Sequence, residues 1–188
     1  MATWQIACAD GERRASQINW LVLDVDGVLT DGRLYTFGNC QEIQAFHVHD
    51  GLGIRLWQRA GKGVAVITGR SSAAARARCA ELGITHVYQN AHAKDATFAE
   101  FARNVQTVPE QVCYCGDELV DVPLLQLVGL AATVPDAVPE ARAAAHLVLT
   151  RPGGRGAVRE LTDLLLKLQG HWDRVTACYY AHAATGSI

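Results

Sequence analysis

The sequence predicts an α/β fold, a doubly wound Rossmann-like parallel sheet with a small β-hairpin insertion and no separate cap domain. Short apolar segments of strand length alternate with helical patterns at the spacing of βαβ units. Each segment is apolar almost throughout, which is typical of strands that are covered on both faces. With 188 residues, the chain is long enough to form one domain around a substantial core.

The expected elements follow one another in a regular order. Residues 1–18 are polar and irregular, and they predict a flexible N-terminal arm before a domain over residues 19–170. Strands are expected at residues 20–25, 63–67, 86–88, 112–115 and 129–132, with a weaker one near 147–149. Helices are expected at residues 51–60, 71–82, 92–104, 118–126, 137–143 and 156–168, before a C-terminal tail over 171–188. The last helix places four leucines on one core-facing side, at positions Leu161, Leu164, Leu165 and Leu168.

One insertion, over residues 31–49, interrupts the alternation of strands and helices. Its glycine-containing turn signals and partial two-residue periodicity predict a β-hairpin with its turn near Gly38. His47 and His49 would then share one face of a strand. We expect them to pack or to form hydrogen bonds within the hairpin rather than to bind a metal, because the spacing supplies no third ligand.

The composition excludes several classes of function. The formal net charge of −2 gives no basic footprint for nucleic acid. No apolar stretch is long enough for a membrane span, and no signal peptide is recognisable. The six cysteines lack a CxxC pair and zinc-type spacing, so we expect free thiols in a reducing compartment and a cytoplasmic protein.

Acidic side chains close the first predicted strand, which is apolar up to Asp24 and Asp26. Burying two acids there costs free energy unless something compensates, and a divalent cation with a substrate would do so. Polar residues also follow the next three strands, namely Thr68, Gly69, Arg70, Lys94, Asp117 and Asp121. Because the ligand crevice of an open α/β sheet lies outside the carboxyl ends of its strands, we expect these groups to lie together.

These residue types suit phosphoryl transfer. Carboxylate oxygens are the ligands that Mg²⁺ prefers, and this ion often bridges protein oxygens and a phosphate. The Thr68 hydroxyl, the backbone near Gly69 and the Lys94 ammonium can hold phosphate oxygens. One carboxylate can attack phosphorus, while an acid two residues further on protonates the leaving oxygen and later activates water.

The motifs of this chain resemble those of the haloacid dehalogenase superfamily of phosphatases. The four matching motifs are Asp24–Thr30, Ile67–Arg70, Lys94 and Gly116–Asp121. The chain resembles more closely the capless branch, the 3-deoxy-D-manno-octulosonate 8-phosphate phosphatases, through Leu29–Gly32, Phe46–Ile54, Ile67–Ser72 and Arg151–Glu160. The similarity spans about residues 20–172. It departs from the family pattern at Glu118, where the fourth motif usually has a second Asp, and at His47 and His49.

The resemblance implies a role for each matching residue. Asp24 would be the nucleophile and Asp26 the general acid and base. Mg²⁺ would be held by Asp24, by the backbone carbonyl of Asp26 and by Asp117, with Asp121 close by or in the outer shell. The phosphate-binding residues would be Thr68, Gly69 and Lys94. Candidate residues for the anionic groups of the substrate are Asp50, Arg70, Arg151 and Arg155.

The resemblance also implies a substrate and an assembly. The substrate would be the phosphate of an eight-carbon keto-sugar acid, a lipopolysaccharide precursor. Members of the branch form homotetramers in which the hairpins pack together and a C-terminal arm helps to cover a neighbouring site, so the glycine-rich segment 151–156 would help to close the pocket. Two alternatives stay open, a phosphatase of a nine-carbon sialic-acid-type sugar phosphate and a phospho-receiver signalling domain.

Overall fold

The computed structural model describes residues 10–36, 38 and 42–180. Its strands are β1 (Trp20–Leu23), β2 (Tyr35–Thr36), β3 (Glu42–Ile43), β4 (Gly63–Ile67), β5 (His86–Tyr88), β6 (Val112–Cys115), β7 (Leu130–Thr133) and β8 (Leu147–Val148). Its α-helices are α1 (Gly11–Gln17), α2 (Val48–Arg59), α3 (Ala73–Glu81), α4 (Lys94–Val105), α5 (Val122–Leu127), α6 (Pro139–Ala144), α7 (Ala157–Leu168) and α8 (Trp172–Tyr180). Short 3₁₀ turns cover Pro109–Gln111 and Leu119–Asp121.

A parallel sheet in the order β5-β4-β1-β6-β7-β8 forms the centre of the molecule. Leu23, the last residue of β1, pairs with Val66 of β4 on one side and with Cys115 of β6 on the other. The residue that follows β1 therefore emerges between two strands at the carboxyl edge. The predicted α/β fold is confirmed, and the six expected strands lie within two residues of their predicted positions.

The strand order also decides between two predicted functions. Numbered along the chain, the six strands of the large sheet lie in the order 3-2-1-4-5-6, which is the Rossmann order. Receiver domains have the flavodoxin-like order 2-1-3-4-5. The alternative of a phospho-receiver domain is therefore wrong.

Helices cover both faces of the sheet, and α2 packs against α7 beside it. Leu161, Leu164 and Leu165 of α7 are buried as expected, whereas Leu168 at the end of the helix is partly exposed. Trp57 of α2 is fully buried, and its indole N–H donates to the Gly63 carbonyl at 2.9 Å. This contact fixes α2 to the start of β4.

The flexible arm expected over residues 1–18 is wrong for its second half. Residues Gly11–Gln17 form α1, because Ala15 and Ile18 are apolar and fully buried. The Gln169 side chain donates to the carbonyls of both residues, at 2.7 and 2.9 Å. Residues 1–9 lie outside the described residues.

The hairpin is shorter than the sequence predicts. Tyr35 of β2 pairs with Ile43 of β3 in antiparallel fashion, and most of the turn beside Gly38 lies outside the described residues. The placement of His47 and His49 on a strand is wrong. The His47 side chain caps α2 by accepting a hydrogen bond from the His49 N–H at 3.2 Å, so the helix begins here and ends the extended segment.

The end of the chain is more ordered than the tail predicted over residues 171–188. Residues Trp172–Tyr180 form α8, which packs against α2, and Arg59 donates to the Tyr179 hydroxyl at 2.8 Å. Residues 181–188 lie outside the described residues. Within the part of the chain that the structure describes, no helix combines the length and apolar character needed to cross a bilayer.

Candidate active site

A pocket of about 280 Å³ lies at the carboxyl edge of the sheet. It contains most of the residues that the sequence predicts for the site. The lining residues are Asp24, Asp26, Gly32, Thr68, Gly69, Arg70, Lys94, Asp117, Glu118 and Val120. The convergence follows from topology, since each predicted residue comes directly after a strand of one parallel sheet or begins the helix after it.

Asp24 is the first residue after β1. Its N–H donates to the Cys115 carbonyl at 3.0 Å, which continues the β1–β6 ladder by one residue and fixes the backbone. The residue is 6% exposed, and its side chain lies 3.0 Å from Lys94, measured from Oδ1 to Nζ. Lys94 begins α4 and is itself only 3% exposed, so this ion pair lies at the buried end of the pocket.

Asp121 connects Lys94 to the loop after β6. Its carboxylate is fully buried, and Oδ1 accepts from Lys94 Nζ at 2.5 Å and from the Tyr114 hydroxyl at 2.6 Å. Oδ2 accepts from the backbone N–H groups of Asp117 and Glu118 at 2.8 and 3.0 Å. A carboxylate has about four acceptor positions, so these four hydrogen bonds use the capacity of Asp121.

Asp117 differs from Asp121 because one of its oxygens is unpaired. Oδ1 is buried and has no hydrogen-bond partner among the described residues. Carboxylate oxygens of Asp24, Asp117 and Asp121 lie within 4.8 Å of one another. An unpaired buried oxygen within a cluster of acids fits a hard divalent cation, which would supply the missing partner.

The glycine of the first motif makes this arrangement possible. Gly27 has a φ of +86°, and a Cβ at this position would overlap the Asp117 carboxylate. Any other residue would be strained and would displace the Asp117 carboxylate. The Asp-x-Asp-Gly pattern of the sequence is therefore explained by a contact between two loops.

The electrostatics of the cluster also favour a cation. Burial raises the pKa of Asp24 to about 6, and Asp121 adds to the shift while Lys94 opposes it. Burial and the charges of Asp24 and Asp121 raise the pKa of Asp117 to about 8. Burial opposes the charge on Lys94, but the two neighbouring carboxylates outweigh it and raise the pKa of the ammonium group. The single lysine therefore leaves the cluster with excess negative charge.

Asp26 points towards the hairpin, and its hydrogen bond there comes from Gln44, which the sequence analysis did not identify. Gln44 Nε2 donates to Asp26 Oδ1 at 2.7 Å, and Ser72 donates to Gln44 Oε1 at 2.6 Å. Arg70 donates to Glu42 at 2.5 Å, and its Nε lies 3.7 Å from Asp26 Oδ2. The hairpin region thus contacts the second acid of the site directly through Gln44 and indirectly through Glu42, which binds Arg70.

The missed residues differ in the signal that the sequence offers. Tyr114 lies in a buried strand whose other side chains are smaller. Because a buried phenol needs a hydrogen-bond partner, the sequence could have identified it as part of the site. Gln44 and Glu42 give no such signal, because only the way the hairpin folds back on the sheet brings them to Asp26.

Three of the predicted substrate residues do not line the pocket. Asp50 lies in the first turn of α2 and is buried against the start of α7, where its oxygens accept from the N–H groups of Arg159 at 2.7 Å and Gly156 at 3.3 Å. Arg151 and Arg155 are exposed and lie outside the lining. Of the four candidates, only Arg70 reaches the pocket.

The glycine-rich segment 151–156 packs against the loop after β1 of the same chain. The Gly154 N–H donates to the Val28 carbonyl at 3.0 Å, and a Cβ at Gly153 would overlap the Gly27 carbonyl. The segment therefore supports the loop after β1 instead of extending as a free arm. A contribution of the C-terminal region to a neighbouring site stays a prediction.

Comparisons with known proteins identify the family. No family profile matches the chain. The chain is 46% identical over 165 residues to the 3-deoxy-D-manno-octulosonate 8-phosphate phosphatase of Escherichia coli, which covers 88% of each chain. This chain belongs to the 3-deoxy-D-manno-octulosonate 8-phosphate phosphatase family. The expected family and the enzyme class, phosphoric monoester hydrolase, are thus confirmed.

Solved structures of this phosphatase family share the fold. The enzyme from Yersinia pestis is 44% identical, with a TM-score of 0.85 over 87% of this chain and 88% of that one. The enzyme from Moraxella catarrhalis, solved in complex with a magnesium ion, a phosphate ion and the sugar acid KDO, is 34% identical. Its TM-score is 0.88 over 90% of this chain and 98% of that one. A hydrolase of the haloacid dehalogenase superfamily from Legionella pneumophila has 39% identity and a TM-score of 0.88, over 90% of this chain and 93% of that one.

Proposed function

We propose that this chain hydrolyses 3-deoxy-D-manno-octulosonate 8-phosphate to the free sugar acid and phosphate, with Mg²⁺ as cofactor, as a step in lipopolysaccharide precursor synthesis. The unpaired buried oxygen of Asp117, beside the Asp24–Lys94 ion pair, is the observation that carries the proposal. The name of the E. coli relative and the ligands of the M. catarrhalis enzyme support it.

The residues that would hold Mg²⁺ are Asp24, the backbone carbonyl of Asp26, and Asp117. Asp121 would support the site from behind, because its acceptor positions are already used by Lys94, Tyr114 and the loop after β6. When bound, the ion offsets the repulsion between a carboxylate nucleophile and an anionic phosphate.

The protein residues would carry out the reaction in two steps. In the first, an Asp24 oxygen forms a bond to phosphorus, the bond to the sugar oxygen breaks, and Asp26 gives its proton to that oxygen. In the second, Asp26 takes a proton from water, the water oxygen attacks phosphorus, and Asp24 is released as a carboxylate. Lys94, Thr68 and the backbone at Gly69 would hold the phosphate oxygens throughout.

Arg70 is the remaining candidate for the anionic end of the sugar acid. It lines the pocket, and its side chain is 38% exposed although one guanidinium nitrogen donates to Glu42, so the remaining N–H groups are available for a ligand. A guanidinium suits a carboxylate because it can donate two parallel hydrogen bonds.

We also propose that the protein is a homotetramer formed through its hairpins, in the cytoplasm. Apolar side chains of the hairpin region that are about half exposed or more support this assembly, namely Leu34, Tyr35, Ile43 and Val48. Exposed apolar side chains gathered in one region are typical of contacts between subunits.

The test is phosphate release from a panel of sugar phosphates by the purified protein, with Mg²⁺ or with a chelator. We expect kcat/KM for 3-deoxy-D-manno-octulosonate 8-phosphate to exceed that for a nine-carbon sialic-acid 9-phosphate at least about tenfold, and activity to vanish with the chelator. Preference for the nine-carbon substrate would support the alternative sugar. Activity that is unaffected by the chelator would refute the metal site.

A further inference from the structure

Gln44 is the feature of the site that the proposed mechanism does not yet use. Its Nε2 donates to Asp26 Oδ1 at 2.7 Å, and no other described residue donates a hydrogen bond to this carboxylate. Gln44 is buried and is not among the residues that line the pocket. Of the residues that carry out the proposed reaction, Gln44 contacts Asp26, so we place its effect on the reaction at Asp26 and not at the substrate.

The orientation of the Gln44 amide is fixed from its other side. Ser72 Oγ donates to Gln44 Oε1 at 2.6 Å. The same hydroxyl oxygen accepts from the Ala75 N–H at 3.2 Å, because Ser72 is the N-cap of α3. With its oxygen bound to Ser72, the amide can present only its NH₂ group to Asp26, and this group can only donate.

The second oxygen of Asp26 is treated differently. Oδ2 lies 3.7 Å from Arg70 Nε, which is too far for a hydrogen bond. Arg70 is held in this position by its hydrogen bond to Glu42 of β3. The two oxygens of Asp26 are therefore distinguished, since Oδ1 is occupied by Gln44 and Oδ2 has no donor among the described residues.

We propose that Gln44 is a positioning residue that fixes the Asp26 carboxyl group so that Oδ2 delivers the proton to the leaving oxygen. The inference rests on the proposed function and extends it to the residue that orients the general acid. During the first step the proton passes from Oδ2 to the sugar oxygen as the bond between that oxygen and phosphorus breaks. Asp26 is left as a carboxylate whose Oδ1 still accepts from Gln44.

A role through the general acid has a consequence that a purely structural role lacks. An alkyl leaving group, such as a sugar oxygen, needs a proton as it departs, whereas a nitrophenolate is stable as an anion and needs none. The value of kcat/KM reports the steps up to the phosphorylation of Asp24. Loss of Gln44 should therefore lower kcat/KM for a sugar phosphate more than for p-nitrophenyl phosphate.

The experiment compares Gln44→Met with the wild type. This variant keeps the length of the side chain and removes the NH₂ donor. Gln126→Met is the matched control, because Gln126 is exposed on α5 and does not line the pocket. For each protein, kcat/KM is measured with p-nitrophenyl phosphate and with the best sugar phosphate that the wild type hydrolyses, and thermal unfolding shows that the variant is folded.

We expect Gln44→Met to lower kcat/KM about tenfold for the sugar phosphate and less than about twofold for the aryl phosphate, with the control unchanged. Equal losses on the two substrates, or no loss on either, would overturn the inference. A wild type that prefers another sugar phosphate refutes the proposed substrate but leaves this comparison valid.

A crystal structure of Gln44→Met tests whether Gln44 positions the Asp26 carboxyl group, and it requires no measurement of activity. We expect the Asp26 carboxyl group to rotate or to occupy two orientations while Asp24 stays in place. An Asp26 side chain that keeps its wild-type orientation would contradict the role of Gln44.

Discussion

The four hydrogen bonds that Asp121 accepts give this carboxylate a different role from that of Asp117. Asp121 holds Lys94 and the loop after β6 in place, whereas Asp117 has an oxygen without a partner. Two acids that lie four residues apart in one motif can thus be assigned separately. The distinction depends on the hydrogen bonds of each oxygen rather than on the position of the residue in the motif.

Substitution of the two acids should separate these roles. Asp117→Asn should weaken the binding of Mg²⁺ about 10-fold or more, because it removes a charged ligand. Asp121→Asn should lower kcat/KM with a smaller effect on the affinity for Mg²⁺. It should also destabilise the protein by about 2 kcal/mol, because the new amide NH₂ would face groups that now donate hydrogen bonds to Asp121. Titration of the activity with Mg²⁺ measures the affinity for the ion, and urea unfolding measures the change in stability. If Asp121→Asn weakens the binding of Mg²⁺ as much as Asp117→Asn does, Asp121 is a direct ligand of the ion.

Among the structural elements, the loop after β1 depends on a segment more than 100 residues later in the chain. Gly154 has a φ of +63°, and a Cβ there would overlap the backbone of Thr30 and Asp31. Glu160 fixes the start of this segment by accepting from the N–H groups of Thr150 and Arg151, both at 2.9 Å. The glycine-rich segment therefore determines where the loop that carries Asp26 can lie.

A pair of glycine substitutions measures this support. Gly154 and Gly170 both have a φ near +65°, but a Cβ at Gly170 would meet no atom within 4 Å. Gly170→Ala should cost about 1 kcal/mol from backbone strain alone. Gly154→Ala should cost more and should also lower kcat, because it displaces the loop after β1. Equal melting temperatures and equal activities for the two variants would show that the close packing does not support the site.

The elements of the fold differ in how well the sequence predicts them. The buried strands can be predicted because short, continuous apolar segments are typical of strands that are covered on both faces. Asp24, Thr68 and Lys94 are then expected to lie together, because parallel strands share one carboxyl edge. His47 and Asp50 were misplaced because their contacts are helix caps. Asp50 caps a helix that starts more than 100 residues later, and no local pattern encodes that contact.

For the molecule as a whole, the buried acids of the metal-free site make stability depend on pH. The pKa values of Asp24, about 6, and Asp117, about 8, exceed the unfolded value of 3.8. Between pH 3.8 and the folded pKa of each acid, the folded protein holds a proton that the unfolded chain has released. Their contribution to stability is complete below the unfolded pKa and is lost as the pH rises through the folded pKa.

Urea unfolding in the presence of a chelator should therefore give a lower free energy of unfolding at about pH 8 than at about pH 5. Asp117→Asn should reduce this difference, because it removes the group with the larger shift, and saturating Mg²⁺ should reduce it by holding both acids as carboxylates. A wild-type protein whose pH dependence matches that of Asp117→Asn would show that Asp117 is not responsible.

The central claim is that the phosphoryl group passes through Asp24, and chemical trapping tests it most directly. An acyl phosphate is reduced by borohydride to an alcohol, so enzyme quenched during turnover should contain homoserine at position 24, as identified by peptide mass spectrometry. Enzyme without substrate should show none, and Asp24→Asn should give neither homoserine nor phosphate release. Rapid turnover with no homoserine at position 24, or with homoserine at another aspartate, would contradict the account.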